Sequence, residues 1–254
     1  MWITGKTREG SRMNLTLSPI TLQQIQIFFL VIEEGYAQAS SLHGSESSLL
    51  RLGLPSTVVP EHYMHHALET FDQKYPDCSI ILGTGHIWEF KQRLVDGFID
   101  AVILPDFEVY WVREKGFSSE WIARDTACVL LSENHPLADR ESFRMADLLD
   151  ERFIVFRIGD DNNCALDLQA RFAPFKKEPH IVSHYESSHD MRYRFRKNKT
   201  DMIFIDAFFE FPQTVGMKRI PVTDQQNGMI CVWHPKSVKP ILRKFLKHCL
   251  KKPN

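Results

Sequence analysis

The sequence predicts an α/β fold arranged as two lobes. Three observations lead there. From Leu50 onward, short apolar runs alternate with amphipathic stretches, the rhythm of strands and crossover helices. That alternation breaks at "ENHPLADRESF" and restarts at "RFIVFR", so two α/β units are expected with a hinge between them. The chain has 254 residues, 43% hydrophobic and 25% charged, which is ordinary globular composition with room for a substantial core.

Residues 1–20 are polar and irregular, and the residues before Met13 read as an upstream translation-start extension. A helix is expected over Thr21 to Glu34, with Thr21 as N-cap, Gln24 three residues on, and Leu22, Ile25, Phe28, Phe29 and Ile32 on one face. A shorter helical piece, "AQASSLHG", follows. Then "LRLGLPS" reads as a strand, "PEHYMHHALETFDQKYP" as a helix, "CSIILGTG" as a strand, "WEFKQRLVDGFID" as a helix and "AVILP" as a strand. Short connections between such elements predict a parallel sheet with right-handed crossovers. "TACVLLS" is a further strand before the hinge. Past it come strand "RFIVFR", helix "CALDLQARFAPF", strand "PHIVSHY", helix "SHDMRYRFRKN" and strand "DMIFIDA". "MKRIPV" and "GMICVWH" read as two separate strands, and a basic helix runs from Val238 to Lys252.

A formal net charge of −1, with 31 Lys and Arg against 32 Asp and Glu, excludes a global positive field for nucleic acid. No secretory leader pattern is seen at the start, and no apolar run approaches the ~18 residues that span a bilayer, so a cytoplasmic protein without membrane contact is expected. The five cysteines are scattered without metal-ligand spacing and read as reduced thiols. His62 and His66 share a helix without a third ligand at suitable spacing, so no metal and no cofactor are expected. The chain lacks "GxSxG", "HExxH", P-loop and dinucleotide signatures, and no catalytic residue is assigned; an enzyme is not expected.

In open α/β sheets, ligands sit beyond the carboxyl ends of the strands. That rule gathers Ser56 and Thr57, then Thr84, Gly85 and His86, then Pro105 around one crevice. Hydroxyls and backbone N–H groups at Ser56 and Thr57 suit a carboxylate or other small anion, or else cap the following helix. Gly85 permits close backbone approach, and His86 can donate to an anion. In the second half, "FRIGDDNN" offers Arg157, Gly159 and Asp160 at a strand end; Arg157 either grips a carboxylate or pairs with Asp160 or Asp161. Asp206 in "FIDA" either receives an amine or hydroxyl or caps the next turn. The arginines of "MRYRFRKNKT" are expected on a solvated helix face, with Met191 and Phe195 inward.

The order of these pieces is similar to a known family. "LRLGLPST", "LETFDQKYPDCSIIL" with "LVDGFIDAVILP", "LLSENHPLA", "HYESSHDM" before "DMIFIDA", and "RIPVTD" before "MICVWHP" resemble the effector-binding domain of LysR-type transcriptional regulators. The resemblance implies a two-lobed, type 2 periplasmic-binding-protein-like effector domain over residues 49–254. Lobe I would take about 49–134 and 221–254, and lobe II about 135–220. "TLQQIQIFFLVIEEG" and "ASSLHGSESS" resemble the opening of the same family's winged helix-turn-helix, so residues 21–48 would be a partial helix-turn-helix segment. "YAQ" stands where the family has a longer segment, and after Ser48 the rest of the recognition helix, the wing and the linker helix are absent. Ser45, Ser47 and Ser48 would be the remnant of the DNA-reading surface, too short to span a groove. The family implies a transcription regulator sensing a small organic effector, for which the strand-end hydroxyls suggest an anion, as a homodimer or in mixed dimers with an intact relative. Its DNA binding is expected to be impaired here. A stand-alone small-molecule-binding protein of the same fold is the alternative.

Overall fold

The computed structural model describes residues 46–56, 58, 63–157, 161–209 and 216–249. The expected helix over Thr21 to Glu34, Ser45, Thr57, the helix start near Pro60, Gly159, Asp160 and the end of the basic C-terminal helix lie outside the described residues.

A single 3₁₀ turn, Glu46–Ser48, runs straight into β1, Leu49–Pro55. Then follow α1 (His65–Lys74), β2 (Ser79–Gly85), α2 (Ile87–Val95), β3 (Ala101–Pro105), α3 (Val109–Lys115) and β4 (Ser118–Ser132). The second half holds β5 (Arg152–Phe156), α4 (Asn163–Phe172), β6 (His180–Tyr185), α5 (Ser188–Lys197), β7 (Asp201–Ile205), β8 (Met217–Trp233) and α6 (Pro240–Cys249). All eight strands form one sheet in the order β2-β1-β3-β8-β4-β7-β5-β6. The groups β2-β1-β3 and β7-β5-β6 are internally parallel, as the alternation predicted. An antiparallel pair, β4 with β8, joins them, running from Ser118 opposite Trp233 to Ser132 opposite Met217 with register shifts between Trp121 and Ala123 and between Thr126 and Cys128.

Strand alternation explains the two cores on each side of the neck. Leu50, Leu52 and Leu54 of β1 pack with Phe71 of α1 and Ile241, Leu242 and Phe245 of α6. Val102, Leu104, Ile230 and Val232 point to the opposite face, against Phe90 and Leu94 of α2 and Trp111 and Val112 of α3. In the other lobe Val129, Leu131, Phe153 and Met202 meet Leu168 and Phe172 of α4, while Leu130, Ile154 and Ile203 meet Met191 and Phe195 of α5. Each lobe is therefore a helix–sheet–helix sandwich. Met191 and Phe195 face inward as the helical spacing of the basic segment required, and Tyr193 stays exposed.

Two expectations need correction. "MKRIPV" and "GMICVWH" are one continuous strand, β8, and the strand expected at "TACVLLS" starts earlier, at Ser118. At the neck, Thr223, Asp224 and Gln226 are exposed, so the segment has no buried face to give a period-2 signal. Val222 to Gln225 fall where the pairing with β4 skips, and there Val222 bridges to Phe143 and Thr223 N–H donates to the Phe143 carbonyl at 2.8 Å. Helix α3 was not anticipated; it has only two turns and ends at Gly116, whose φ of 71° is the left-handed C-terminal stop.

Candidate functional site

The carboxyl ends of the strands in both lobes converge on one inter-lobe cavity of about 320 Å3. Lobe I contributes Pro55 and Ser56 after β1, Gly85 and His86 after β2, and Pro105, Asp106 and Phe107 after β3. Ser56 N–H donates to the Gly85 carbonyl at 2.8 Å, which locks the first two strand ends together. His86 N–H donates to Glu89 Oε2 at 3.1 Å, so the side chain three residues on fixes the start of α2. Lobe II supplies Val155 and Phe156 after β5, Tyr185, Glu186 and Ser187 after β6, Asp206 and Phe209 after β7, and Cys164, Asp167, Leu168 and Arg171 from α4. Asn227 enters from the neck strand β8.

Of the strand-end residues singled out in the sequence, Ser56, Gly85, His86, Pro105 and Asp206 come together on this cavity. Thr84 and Arg157 are not part of its lining. Thr84 is exposed on β2, one residue short of the strand end, and Arg157 is tied by its backbone N–H to the Tyr185 carbonyl at 3.0 Å. Asp161, considered as a partner for Arg157, bonds Lys91 instead.

The charges of the cavity are mostly acidic. Asp106, Asp167, Glu186 and Asp206 face Arg171 and His86. Arg171 is committed: its Nε donates to Asp167 Oδ2 at 2.7 Å, one terminal nitrogen donates to the Gln226 carbonyl at 3.0 Å, and the guanidinium lies 4.6 Å from the Phe204 ring centre. Burial pushes the Asp106 carboxyl up to about 7, and neighbouring Asp167 adds to that while Arg171 opposes it. Burial likewise raises Asp206 to about 6, held from rising further by the backbone N–H groups of Phe208 and Phe209. Arg219 braces this turn by donating to the carbonyls of Ala207 and Phe209.

Two acceptor atoms on the cavity wall are left without partners. Asp206 is 6% exposed and its Oδ1 accepts nothing; Asn227 is 3% exposed and its Oδ1 accepts nothing either. The orientation of the Asn227 amide follows from its Nδ2, which donates to the Ile205 carbonyl at 2.8 Å. A buried acceptor without a partner costs about 1–3 kcal/mol, so two on one wall mark a place that waits for a donor.

Beside the cavity the lobes are pinned by a buried ionic cluster that sequence reading missed. Lys91 Nζ of α2 donates to Glu108 Oε2 at 2.7 Å and to Asp161 Oδ2 at 2.6 Å, and Asn163 Nδ2 of α4 donates to Glu108 at 2.9 Å. Burial alone would lower the Lys91 pKa, but Glu108 and Asp161 outweigh it and the ammonium is held above its ordinary value. Tyr110 also donates across the gap to the Leu166 carbonyl at 3.3 Å, and Phe208 of lobe II packs edge-on against Tyr63 of lobe I. The i,i+4 spacing of Asp167 and Arg171 was a readable signal; nothing local in the sequence announces Asn227 or the Lys91 cluster. Among the described residues, no group of three or more His, Cys, Asp or Glu is placed to hold a metal ion. No described helix is long and apolar enough to cross a membrane.

Two α/β lobes joined by a paired-strand neck, with strand ends from both closing on one cavity, define a ligand-binding domain of the type 2 periplasmic-binding-protein fold. The chain belongs to the LysR family: the LysR substrate binding domain matches residues 43–192. It is 28% identical over 161 residues to the HTH-type transcriptional regulator YybE of Bacillus subtilis (strain 168), covering 60% of this chain and 51% of that protein. To the HTH-type transcriptional regulator YtlI of the same organism it is 26% identical over 189 residues, 72% of this chain and 57% of YtlI. The matches thus span about half the length of these curated relatives. Among solved structures, CbnR, a LysR family transcriptional regulator, aligns with a TM-score of 0.64 at 16% identity, covering 93% of this chain and 82% of CbnR. The effector binding domain of QuiR in complex with shikimate aligns with a TM-score of 0.56 at 18% identity, covering 80% of this chain and 95% of that domain.

Proposed function

We propose that this chain is the sensing part of a LysR-type transcriptional regulator, a non-enzymatic protein whose inter-lobe cavity takes a small organic effector. The observation that carries this reading is the convergence of both lobes' strand ends on one cavity lined by Ser56, Gly85, His86, Pro105 and Asp206. The likeness to the QuiR domain, described as a complex with shikimate, supports a small organic ligand there. An effector touching both lobes shifts their closure only by its differential affinity for the closed state. Ser56 and His86 are the groups an anionic effector would use. Thr57, Gly159 and Asp160, which lie outside the described residues, are proposed as effector contacts from the sequence alone.

Direct reading of DNA is impaired in this proposal. Support comes from the joint itself: Ser47 and Ser48 lie in a 3₁₀ turn that passes directly into β1, where a recognition helix would need several further turns. The regulator would then act in homodimers or in mixed dimers with an intact relative. The test is a thermal-shift screen of small organic metabolites, joined to a mobility-shift titration against the gene's own upstream DNA. A ligand at about 100 times its Kd stabilises by about 2.7 kcal/mol, a clear rise in Tm. The expected result is such a ligand together with only weak, sequence-blind DNA binding. A chain that no small organic molecule stabilises would refute effector sensing, and a specific nanomolar shift would refute impaired DNA reading.

A further inference from the structure

Resting on the effector-cleft reading above, we propose that the ligand is a small apolar amine whose ammonium group is held between Asp206 and Asn227 while its hydrocarbon part lies against the apolar wall. This reverses the sign of charge that the strand-end hydroxyls suggested. Three independent features of the cavity require it.

The first is the pair of orphaned acceptors. Asp206 and Asn227 both line the cavity, and the Oδ1 of each is buried without a donor. A carboxylate ligand would bring further acceptors to atoms that already lack donors, whereas an ammonium brings three donors. The second is the charge balance: four carboxyl side chains line the space, and the guanidinium of Arg171 is taken up by Asp167 and the Gln226 carbonyl. No arginine of the lining is left to grip a carboxylate. The third is the remainder of the wall, where Phe107, Val155, Phe156, Leu168, Ile203 and Ile205 offer an apolar seat in a cavity of about 320 Å3, with ample room for a compact aryl or alkyl group.

Protons follow from the same arrangement. Asp206 faces Arg219 from β8 and the Asp106 carboxyl from lobe I, and Asp106 faces Asp167 and Arg171 from α4. Both carboxyls hold protons more tightly than ordinary aspartates because they are buried. An ammonium beside them drives a proton off, so binding is coupled to proton release and tightens as pH rises, approaching tenfold for each pH unit below about 6.

The experiment compares phenethylamine with 3-phenylpropanoate and 2-phenylethanol, and hexylamine with hexanoate and hexanol. Each is titrated into the full chain by calorimetry at pH 5.5, 7 and 8, in buffers of different ionisation enthalpy. The expected result is binding by the amines at least tenfold tighter than by the matched carboxylates, with proton release at pH 5.5. Asp206→Asn weakens amine binding tenfold or more, and Asn227→Leu, which removes the second acceptor, weakens it as well. The melting temperature of each variant without ligand confirms that it is folded. Binding of the carboxylates or alcohols as tight as that of the amines overturns the charge assignment while leaving the effector cleft standing. If none of the six binds, the amine assignment falls; the effector reading falls with it only if the metabolite screen is also empty.

Discussion

Replacing Lys91 by methionine removes the ammonium at the centre of the inter-lobe cluster and leaves Glu108, 1% exposed, with only the Asn163 amide. Breaking a buried pair by taking one partner typically costs about 3–5 kcal/mol. Here the loss has a ceiling, because Glu108 can escape its uncompensated charge by taking up a proton. From the ordinary glutamate value of 4.5, protonation at pH 7 costs about 3 kcal/mol, at about 1.4 kcal/mol per pH unit. The expected destabilisation is therefore about 3 kcal/mol at pH 7 and falls to about 1 kcal/mol at pH 5, where protonation is nearly free. The double variant Lys91→Met with Glu108→Gln keeps the bond to Asn163 without a buried charge and should recover to within about 1 kcal/mol of the parent. Urea denaturation at the two pH values measures all of this. A loss below about 1 kcal/mol at pH 7, or one that is the same at pH 5, would show that the cluster does not hold a buried, uncompensated carboxylate in check.

Other expectations are equally direct. The Asp206 carboxyl is raised from 3.8 to about 6, so the folded state binds its proton more tightly than the unfolded chain and loses stability as pH rises through that window. Asp206→Asn should therefore be more stable than the parent by up to about 3 kcal/mol at pH 8, with the gain gone below about pH 4, as thermal melts across pH would show. A methyl at Gly53 would stand 2.5 Å from Phe90 Cδ1, so Gly53→Ala should cost about 1–3 kcal/mol in chemical denaturation, and Phe90→Leu in the same chain should recover part of it. At Gly228 a Cβ would meet the Ala123 carbonyl oxygen at 2.0 Å, backbone against backbone. Gly228→Ala should force the neck strands apart and lower Tm by several degrees more than Gly53→Ala does, because no side-chain repacking relieves it.

The central strands and the helices that were legible in the sequence share one property: both of their faces, or one helical stripe, are buried; the edge strands β2 and β6 were legible although only partly buried. Leu50, Leu52 and Leu54, or Phe153 with Val155, announce strands because cores lie on both sides. Gly, Pro and polar residues mark their carboxyl ends, and the strand-end rule then brought five of the expected rim residues to the cavity. What was not legible depends on partners distant in the chain. The exposed stretch of β8 is extended because it is held at both ends by β4 and in between by the distant Phe143, and Asn227 becomes part of the site only because the neck passes beside β7. Lys91 and Asp161 are 70 residues apart, and neither has a local feature that foretells their meeting. Thr84 shows the limit of the rule: on the edge strand β2 it is exposed and outside the cavity, whereas Val155 and Ile203, also short of their strand ends, line it.

The paired neck also governs how this chain can be divided and deformed. Because β4 carries the backbone from one lobe to the other and β8 carries it back beside β4, cutting at the waist severs two paired strands. Neither lobe is therefore an excisable piece, since each would be left with a torn sheet edge of unpaired N–H and C=O groups. Closure about a ligand must be torsion of a two-stranded ribbon, with compliance concentrated at its two irregularities, between Trp121 and Ala123 and between Thr126 and Cys128. A binding event in the cavity would thus be felt as twist in this ribbon, and the stiffness of one short bulge and one longer break in pairing would set how far the lobes can turn.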